Sequence, residues 1–338
     1  MSDLLVVGGG PAGLATAIHG ARAGIEVVVA ERRRGPIDKA CGEGLMPHTL
    51  RHLKGLSVYP LGKPIRGISY RDGDLQVDAK FKRGTGRGVR RTVLHSALID
   101  AAVEAGVEIV RDEIREIGQD ANGVRTGRWR ARYLAAADGL HSPIRRTLGL
   151  ERPSPGPRRW GIRRHVQTAP WSDHVEVHWA PGAEAYVTPV ADDCVGVALL
   201  SSGRGGFDGH LEEFPELRDR IAGHPHEPDR AAGPLRQKVS SRTAGRVLLV
   251  GDAAGYVDAL TGEGLGLAFG AAEALVDCVL AGRPEEYDRR WRQLTRRYRM
   301  LTAALLQASA YGPARSRIVP AAAAMPSVFT GIVNLLAQ

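Results

Sequence analysis

The chain opens on an apolar run, "DLLVV", which meets a glycine-rich turn, "GGGPAG", and then small and apolar residues at helical spacing. A second apolar run, "IEVVVAE", follows and ends in an acid, so the first thirty residues read as strand, tight turn, helix, turn, strand. "RTVLHSALIDAAVEAGVEIVRDEIREI" predicts an amphipathic helix running into the strand "VEIVR", and "RARYLAAADGLHSPIRRTLG" predicts a buried strand leading into a loop and helix. Both belong to one parallel-sheet layer. From about Trp160 to Leu200 the pattern alternates, with "APGAE" and "ADD" marking two reversals, which predicts an inserted antiparallel sheet. "GRVLLVGDAAG" then returns to the buried-strand pattern, so the first layer is discontinuous in sequence.

These changes of texture divide the chain into residues 1–65, 88–155 and 240–284 for the nucleotide-binding layer, and 66–87 and 156–239 for the inserted sheet. Residues 285–338 form a helical tail, Arg-rich and then Ala-rich. Its apolar end, "PSVFTGIVNLLAQ", is too short and too Pro-bounded to span a bilayer, and reads as core or as the wall of a lipid-accessible cavity. No internal repeat or low-complexity linker is visible.

With 338 residues and 43% hydrophobic content, the chain can bury a large core. The net charge of +9 comes mostly from scattered Arg residues and accompanies no nucleic-acid-binding motif, so it points to a surface that attracts anionic cofactors or lipid headgroups. The first residues show no signal-peptide pattern, and the three cysteines form no CxxC pair, which together place the chain in the cytoplasm. His174, Glu176 and His178 share one face of a strand; alternation on a half-exposed strand is the commoner meaning of that spacing, and no metal is expected. GxSxG, HExxH and P-loop patterns are absent.

Gly8, Gly10 and Gly13 form GxGxxG directly after a strand, with Pro11 and Ala12 opening the helix and Glu31 closing the next strand. The first glycine permits the turn, the second lets a pyrophosphate approach the backbone, and the third allows close helix packing. Glu31 is placed to accept hydrogen bonds from a ribose diol, and Arg32 beside it to touch phosphates. NAD and FAD both satisfy this pattern.

A second stretch, "RVLLVGDAAGYVDALTGEGLGLAFGAAEAL", separates them. It resembles the second flavin-binding motif of the glutathione-reductase-type flavoproteins, in particular the group A aromatic hydroxylase (p-hydroxybenzoate hydroxylase-like) and geranylgeranyl reductase branches. The resemblance implies that Asp252 meets the ribityl chain, and that the helix start at Gly262, Gly264 and Leu265 faces the pyrimidine end of the flavin, where backbone N–H groups suit negative charge. "RRTVLHSAL" matches R-x-x-L/F-(D/H)-x-x-L and implies that Arg91 lies beside the cofactor. "ADGLHSPIRR" matches Asp-Gly-x-x-Ser-x-x-Arg, giving Asp138, Gly139, Ser142 and Arg145, which in hydroxylases helps hold the pyrophosphate region and the nicotinamide donor. "KACGEGLMP" is similar to the reductase branch, where a Cys-Gly pair, here Cys41 and Gly42, sits near the isoalloxazine.

The fold implied is α/β: a Rossmann-like FAD-binding domain of glutathione-reductase type with an inserted antiparallel sheet and a helical C-terminal tail. The function implied is an FAD-dependent, NAD(P)H-using monooxygenase acting on an aromatic or polyketide-like molecule in secondary metabolism, with Cys41, Tyr186, Trp160 and Trp179 as candidate pocket residues. The alternative is a double-bond reductase of the geranylgeranyl reductase kind acting on an isoprenoid or lipid, from which the chain departs at "EAYVTP", where only Pro189 of Y-x-W-x-F-P is kept. The W-x-W-x-I-P signature of flavin-dependent halogenases is also absent. A third reading is a non-redox binding protein on the same scaffold, like the Rab GDP-dissociation inhibitors. The expected partner is a small apolar or aromatic substrate, with peripheral membrane contact open and no nucleic acid.

Overall fold

The computed structural model of the chain describes residues 1–156, 158–203 and 205–337. Its first sheet runs, edge to edge, Thr243–Ala244, Val247–Leu249, Trp129–Ala136, Ser2–Val7, Val27–Glu31 and Glu108–Arg111. From Val247–Leu249 to Glu108–Arg111 each neighbouring pair is parallel. The strand Val27–Glu31 is buried at all five positions, as a strand covered on both faces requires. The helix Pro11–Arg22 packs against both Arg91–Glu104 and Gly264–Leu280, and the three share the main core with the sheet.

Register decides what this sheet positions. Val7 pairs with Ala136 and Ala30, and Ala136 pairs with Leu249. The loops that follow these strands therefore emerge side by side at the carboxyl end of the sheet, where open α/β folds hold ligands. They carry Gly8, Asp138, Asp252 and, at the end of its own strand, Glu31.

A seven-stranded sheet, counted among the described residues, forms the second layer: Arg230–Ala232, Trp160–Val166, Cys194–Ser201, Ala183–Ala191, His174–Trp179, Gly67–Asp72 and Leu75–Lys80. It is antiparallel as predicted except where His174–Trp179 meets Gly67–Asp72, a parallel pair. These two strands are separated by a passage through the first layer, so no tight turn forces them antiparallel. One face is covered by Phe207–Leu211 and Pro215–Ile221 through Phe207, Phe214 and Leu217.

The tail comprises Tyr287–Ala310, Gly312–Arg315, Ile318–Ala324 and Pro326–Leu336. Val319, Phe329 and Val333 join a third apolar cluster with Val77, Ala79 and Val177 of the second sheet. Asn334 fixes the end of the chain to the edge strand: Nδ2 donates to Lys80 O (2.9 Å), and Oδ1 accepts from Lys82 N–H (2.6 Å). Among the described residues no single helix is long and apolar enough to cross a membrane, and the last two helical stretches meet at a bend of 104°.

Candidate active site

A cavity of about 1240 Å³ runs between the two sheets and under the tail. That exceeds the ~300–1,000 Å³ of an ordinary small-molecule site. Of the positions singled out in the sequence, Gly8, Gly10, Pro11, Ala12, Glu31, Arg32, Cys41, Gly42, Arg91, Asp138, Trp160, Tyr186, Asp252, Gly262, Gly264 and Leu265 all line it. Two do not. Gly13 lies beneath, where a Cβ would stand 1.9 Å from Gly8 O, so it serves helix-to-strand packing. Trp179 shares its strand face with the lining residues Val175 and Val177, but Tyr70 packs on it at 5.4 Å and buries it in core; its assignment to the pocket is corrected.

The glycine turn is shaped by backbone contact. Gly8 has φ +107°, and a Cβ there would meet Ala137 O at 2.4 Å, whereas nothing lies within 4 Å of a Cβ at Gly10, leaving its open side free for a ligand. Glu31 accepts from Gly9 N–H (2.8 Å) through Oε2 and from Arg33 N–H and Nε (2.9 and 3.0 Å) through Oε1. Burial opposes its ionisation, but these bonds outweigh it and its carboxyl is held below the usual range. Oε1 is filled by its two donors, and Oε2, with one, retains lone-pair capacity for a ribose hydroxyl. Arg32 extends outward and pairs loosely with Glu113 at 3.7 Å.

His95, which sequence reasoning passed over, holds this turn from behind. Its Nε2 donates to Gly9 O (2.7 Å) and its Nδ1 accepts from Ile37 N–H (3.3 Å), a pattern only the neutral ring satisfies. Burial lowers its pKa in agreement. The one available signal was the D/H position of the Arg91 motif.

At the other loops, Asp138 accepts from Ile144 N–H (3.1 Å) through Oδ2, while its buried Oδ1 has no partner. A buried nitrogen of Arg91, Nη1, is likewise unpartnered. Unsatisfied groups on a cavity wall are the mark of a polar ligand site. Asp252 is open to the cavity yet enclosed by protein walls, so desolvation pushes its carboxyl up against the opposing charges of Lys39, Arg91 and Arg145. Lys39 lines the same wall and had no sequence signal. Arg145 is a structural tie: its guanidinium donates to Leu140 O (2.8 Å), Gln237 Oε1 (2.8 Å) and Ala253 O (3.2 Å). Glu263, behind the turn at Gly262 (φ +70°), is buried and bonded to His48 Nε2 at 2.8 Å. Burial raises its carboxyl, with the His48 bond opposing.

The floor is a row of cross-strand partners on the second sheet: Tyr70, Val177, Tyr186, Ala198 and Arg163. Tyr186 OH donates to Leu260 O (2.7 Å), which ties the floor to the loop after Asp252. Cys41 sits above with its thiol pKa raised by burial, against the pull of Arg91. Glu176 is committed to Arg71 (3.0 Å), Trp171 (3.0 Å) and His178 (3.2 Å), and no group of three or more His, Cys, Asp or Glu among the described residues is spaced to hold a metal.

Open glycine backbone, a ribose-type carboxylate and unsatisfied polar atoms thus converge on one long cavity, and residues 1–204 match the FAD binding domain family. The chain belongs to this family. The FAD-binding chain is 32% identical over 308 residues to menaquinone reductase of Mycobacterium tuberculosis, covering 78% of this chain and 73% of that protein. It is 30% identical to digeranylgeranylglycerophospholipid reductase 1 of Methanopyrus kandleri, over 79% and 77% of the two chains. It is 28% identical to para-nitrophenol 4-monooxygenase of a Pseudomonas species, over 83% and 78%. A solved flavoprotein/dehydrogenase from Cytophaga hutchinsonii shares the fold with a TM-score of 0.79 at 19% identity, covering 92% and 86%. The FAD-binding protein is therefore a member of the hydroxylase and geranylgeranyl reductase superfamily of flavin-dependent oxidoreductases.

Proposed function

We propose that the protein is an FAD-dependent reductase that saturates carbon–carbon double bonds in an isoprenoid or lipid-like chain, using NAD(P)H as reductant. Motifs alone favour hydroxylation; the apolar end of the cavity reverses that order. There the wall is built from Leu301, Leu305, Ile318, Phe329 and Val333 of the tail, without a charged residue among them. Such a tunnel suits a long hydrocarbon chain, whose burial is worth ~0.8 kcal/mol per methylene. The reductase names of two relatives support the same reading.

The cofactor site follows from the geometry. The N–H groups of Gly10 and Ala12, at the start of the helix Pro11–Arg22, suit the pyrophosphate, and Glu31 suits the adenosine ribose. Asp252, Lys39 and Arg91 suit the ribityl chain and the polar edge of the ring, with the turn at Gly262–Gly264 at its pyrimidine end. Bound flavin supplies a hydride equivalent. Cys41, Gly42 and the Tyr70–Tyr186 row position the alkene, and the tail excludes water. The mouth bears Met325, Val328 and Ile332, each more than two-fifths exposed while also lining the cavity. With the positive net charge, this apolar rim fits peripheral contact with an anionic membrane on the cytoplasmic side.

A second reading, hydroxylation of an aromatic molecule, is supported by Tyr70, Tyr186 and Trp160 at the floor and by the nitrophenol monooxygenase relative. Product analysis separates them. Incubation of the reduced holoprotein with polyprenyl quinones and phospholipids without oxygen is expected to add two hydrogens per double bond. An oxygen-dependent product carrying one added oxygen on a phenolic ligand overturns the reductase reading.

A further inference from the structure

A second cavity, of about 260 Å³, lies behind the loop that carries Asp252. Its walls come from residues 236–239, the helix Gly264–Leu280 and the helix Tyr287–Ala310, while Gly251, Asp252, Tyr256 and Gly264 line both this cavity and the larger one. The Asp252 loop is therefore a partition with a pocket on each side. We propose that the second pocket is a binding site for a phosphate group, held by Arg242 with Arg152, Arg236, Lys238 and Arg299 around it. The site is independent of whether the flavin chemistry is reduction or hydroxylation.

Arg242 is the centre of the site. Its side chain is only 6% accessible, so its charge must be answered by protein or by ligand. Nε donates to Ala254 O (3.0 Å), Nη1 reaches Asp288 Oδ1 (3.3 Å), and the guanidinium carbon stands 3.9 Å from the centre of the Trp291 ring. Nη2, with two N–H groups, has no hydrogen-bond partner among the described residues. It lies beside Gly255, itself a lining residue, where an added Cβ would stand 3.5 Å from it. Gly255 has φ +115°, a conformation that favours glycine, and the missing side chain leaves Nη2 uncovered. Free donors of a buried guanidinium on a cavity wall are matched by the oxygens of an anion.

The charge around Arg242 is unbalanced. Asp288 serves Arg242 at 3.3 Å and Arg292 at 2.8 Å, so one carboxylate answers two guanidiniums. Arg299 lies against the same indole at 5.5 Å and forms no ion pair, and Lys238 forms none either. Arg152 bonds only to Gly149 O and Glu151 O, and Arg236 only to Pro155 O. Of the five cations that line the pocket, only Arg242 thus has an acid partner among the described residues. Burial lowers the pKa of Arg242, Asp288 opposes this, and Arg299 and Arg292 push it further down. The one acid on the wall, Asp252, is answered by Lys39, Arg91 and Arg145.

Strand pairing adds an independent sign. Arg152 and Lys238 stand directly opposite each other in a two-stranded sheet, a like-charge placement that costs stability unless an anion lies near both. A phosphate relieves it.

Shape and size select the ligand class. The cations converge from two short strands, the loop before the Asp252 strand and a helix, which suits a tetrahedral dianion with three acceptor oxygens; a planar carboxylate fills one guanidinium fork. The volume is below the ~300–1,000 Å³ of a site for a drug-sized molecule, so the pocket admits a phosphate with a short polar substituent and excludes a whole dinucleotide. Inorganic phosphate and the glycerol phosphate of an anionic lipid headgroup share this chemistry.

Titration calorimetry on the flavin-loaded protein tests the site, because bound flavin keeps the phosphate site at the glycine turn filled. Inorganic phosphate and glycerol 3-phosphate are titrated at constant ionic strength against a sodium chloride blank. One saturable site per chain is expected, with a Kd of ~1 mM or tighter. Lys238 and Arg299 are exposed, so Lys238→Glu and Arg299→Glu are expected to keep the fold, and each to weaken phosphate binding at least ~fivefold. Arg242→Lys keeps the charge but loses the fork, and is expected to weaken it by a similar factor. Glycerol 3-phosphate binding at least ~tenfold more tightly than phosphate assigns the pocket to a lipid headgroup; any smaller preference assigns it to free phosphate. Heat that does not saturate above the chloride blank, or a phosphate affinity in both charge-reversed variants within about twofold of wild type, overturns the proposal.

Discussion

At one end of the cavity the turn at Gly8, packed on Gly13 beneath it, leaves no room for a Cβ at either glycine, whereas Met325, Val328 and Ile332 close the other end with exposed apolar side chains on and between two short helices. The first end is specified by covalent geometry: a Cβ at Gly13 would overlap Gly8 O, and a Cβ at Gly8 would overlap Ala137 O. The second is specified only by being apolar and of the right length. A ligand held at the first end must present fixed groups at fixed distances, as a dinucleotide does; one held at the second need only be hydrocarbon. One cavity can therefore combine an exacting cofactor site with a permissive substrate site.

The sharpest way to break this contrast is Gly13→Val. The added Cβ meets backbone, so the helix Pro11–Arg22 cannot dock as it does here, and the variant is expected to lose bound flavin and about 3 kcal/mol of stability, read by absorbance and thermal melting. A yellow variant of wild-type stability would show that the turn is not built as described. At the other end, Val328→Asp is expected to raise KM for a polyprenyl substrate about tenfold and weaken binding to anionic vesicles, while flavin affinity stays within ~0.5 kcal/mol of wild type. A loss of flavin in that variant would mean the two ends are not independent.

The smallest effect is electrostatic and is read in the flavin-free protein. Folding raises the Asp252 carboxyl above its ordinary value, so between that value and the folded one the native state binds more protons than the unfolded chain. Its stabilising contribution is present at low pH and is lost as pH rises through the folded pKa. Asp252→Asn removes the loss. The apo variant's melting temperature is expected to gain on that of apo wild type as pH rises above the ordinary carboxyl value of about 4, while its flavin affinity falls. A difference that does not change with pH would contradict the raised carboxyl assigned to Asp252.

The same contrast explains what could be read from the sequence. Glycines at fixed offsets after a strand report local backbone constraints, so GxGxxG, Glu31 and the Asp252 loop could be placed from one window each. Glu43 and His165 are 122 residues apart and meet only because a turn of the first layer lies over the second sheet. Lys39 likewise acquires meaning only beside Asp252. Trp179, expected on the pocket because it lies on the inserted sheet, shares the face of Val175 and Val177, but how far along the strand the cavity extends is set by Tyr70, on another segment. The parallel pairing of that segment with His174–Trp179 was equally invisible, because nothing in either strand records the direction of its neighbour.

The measurement that tests the central claim most directly is anaerobic reoxidation. Holoprotein reduced with one equivalent of NAD(P)H or dithionite is mixed, without oxygen, with a polyprenyl quinone or unsaturated isoprenoid lipid while flavin absorbance is followed. The account predicts that oxidised flavin returns in proportion to double bonds saturated in the recovered lipid. Flavin that stays reduced until oxygen is admitted, with every double bond intact, would contradict it.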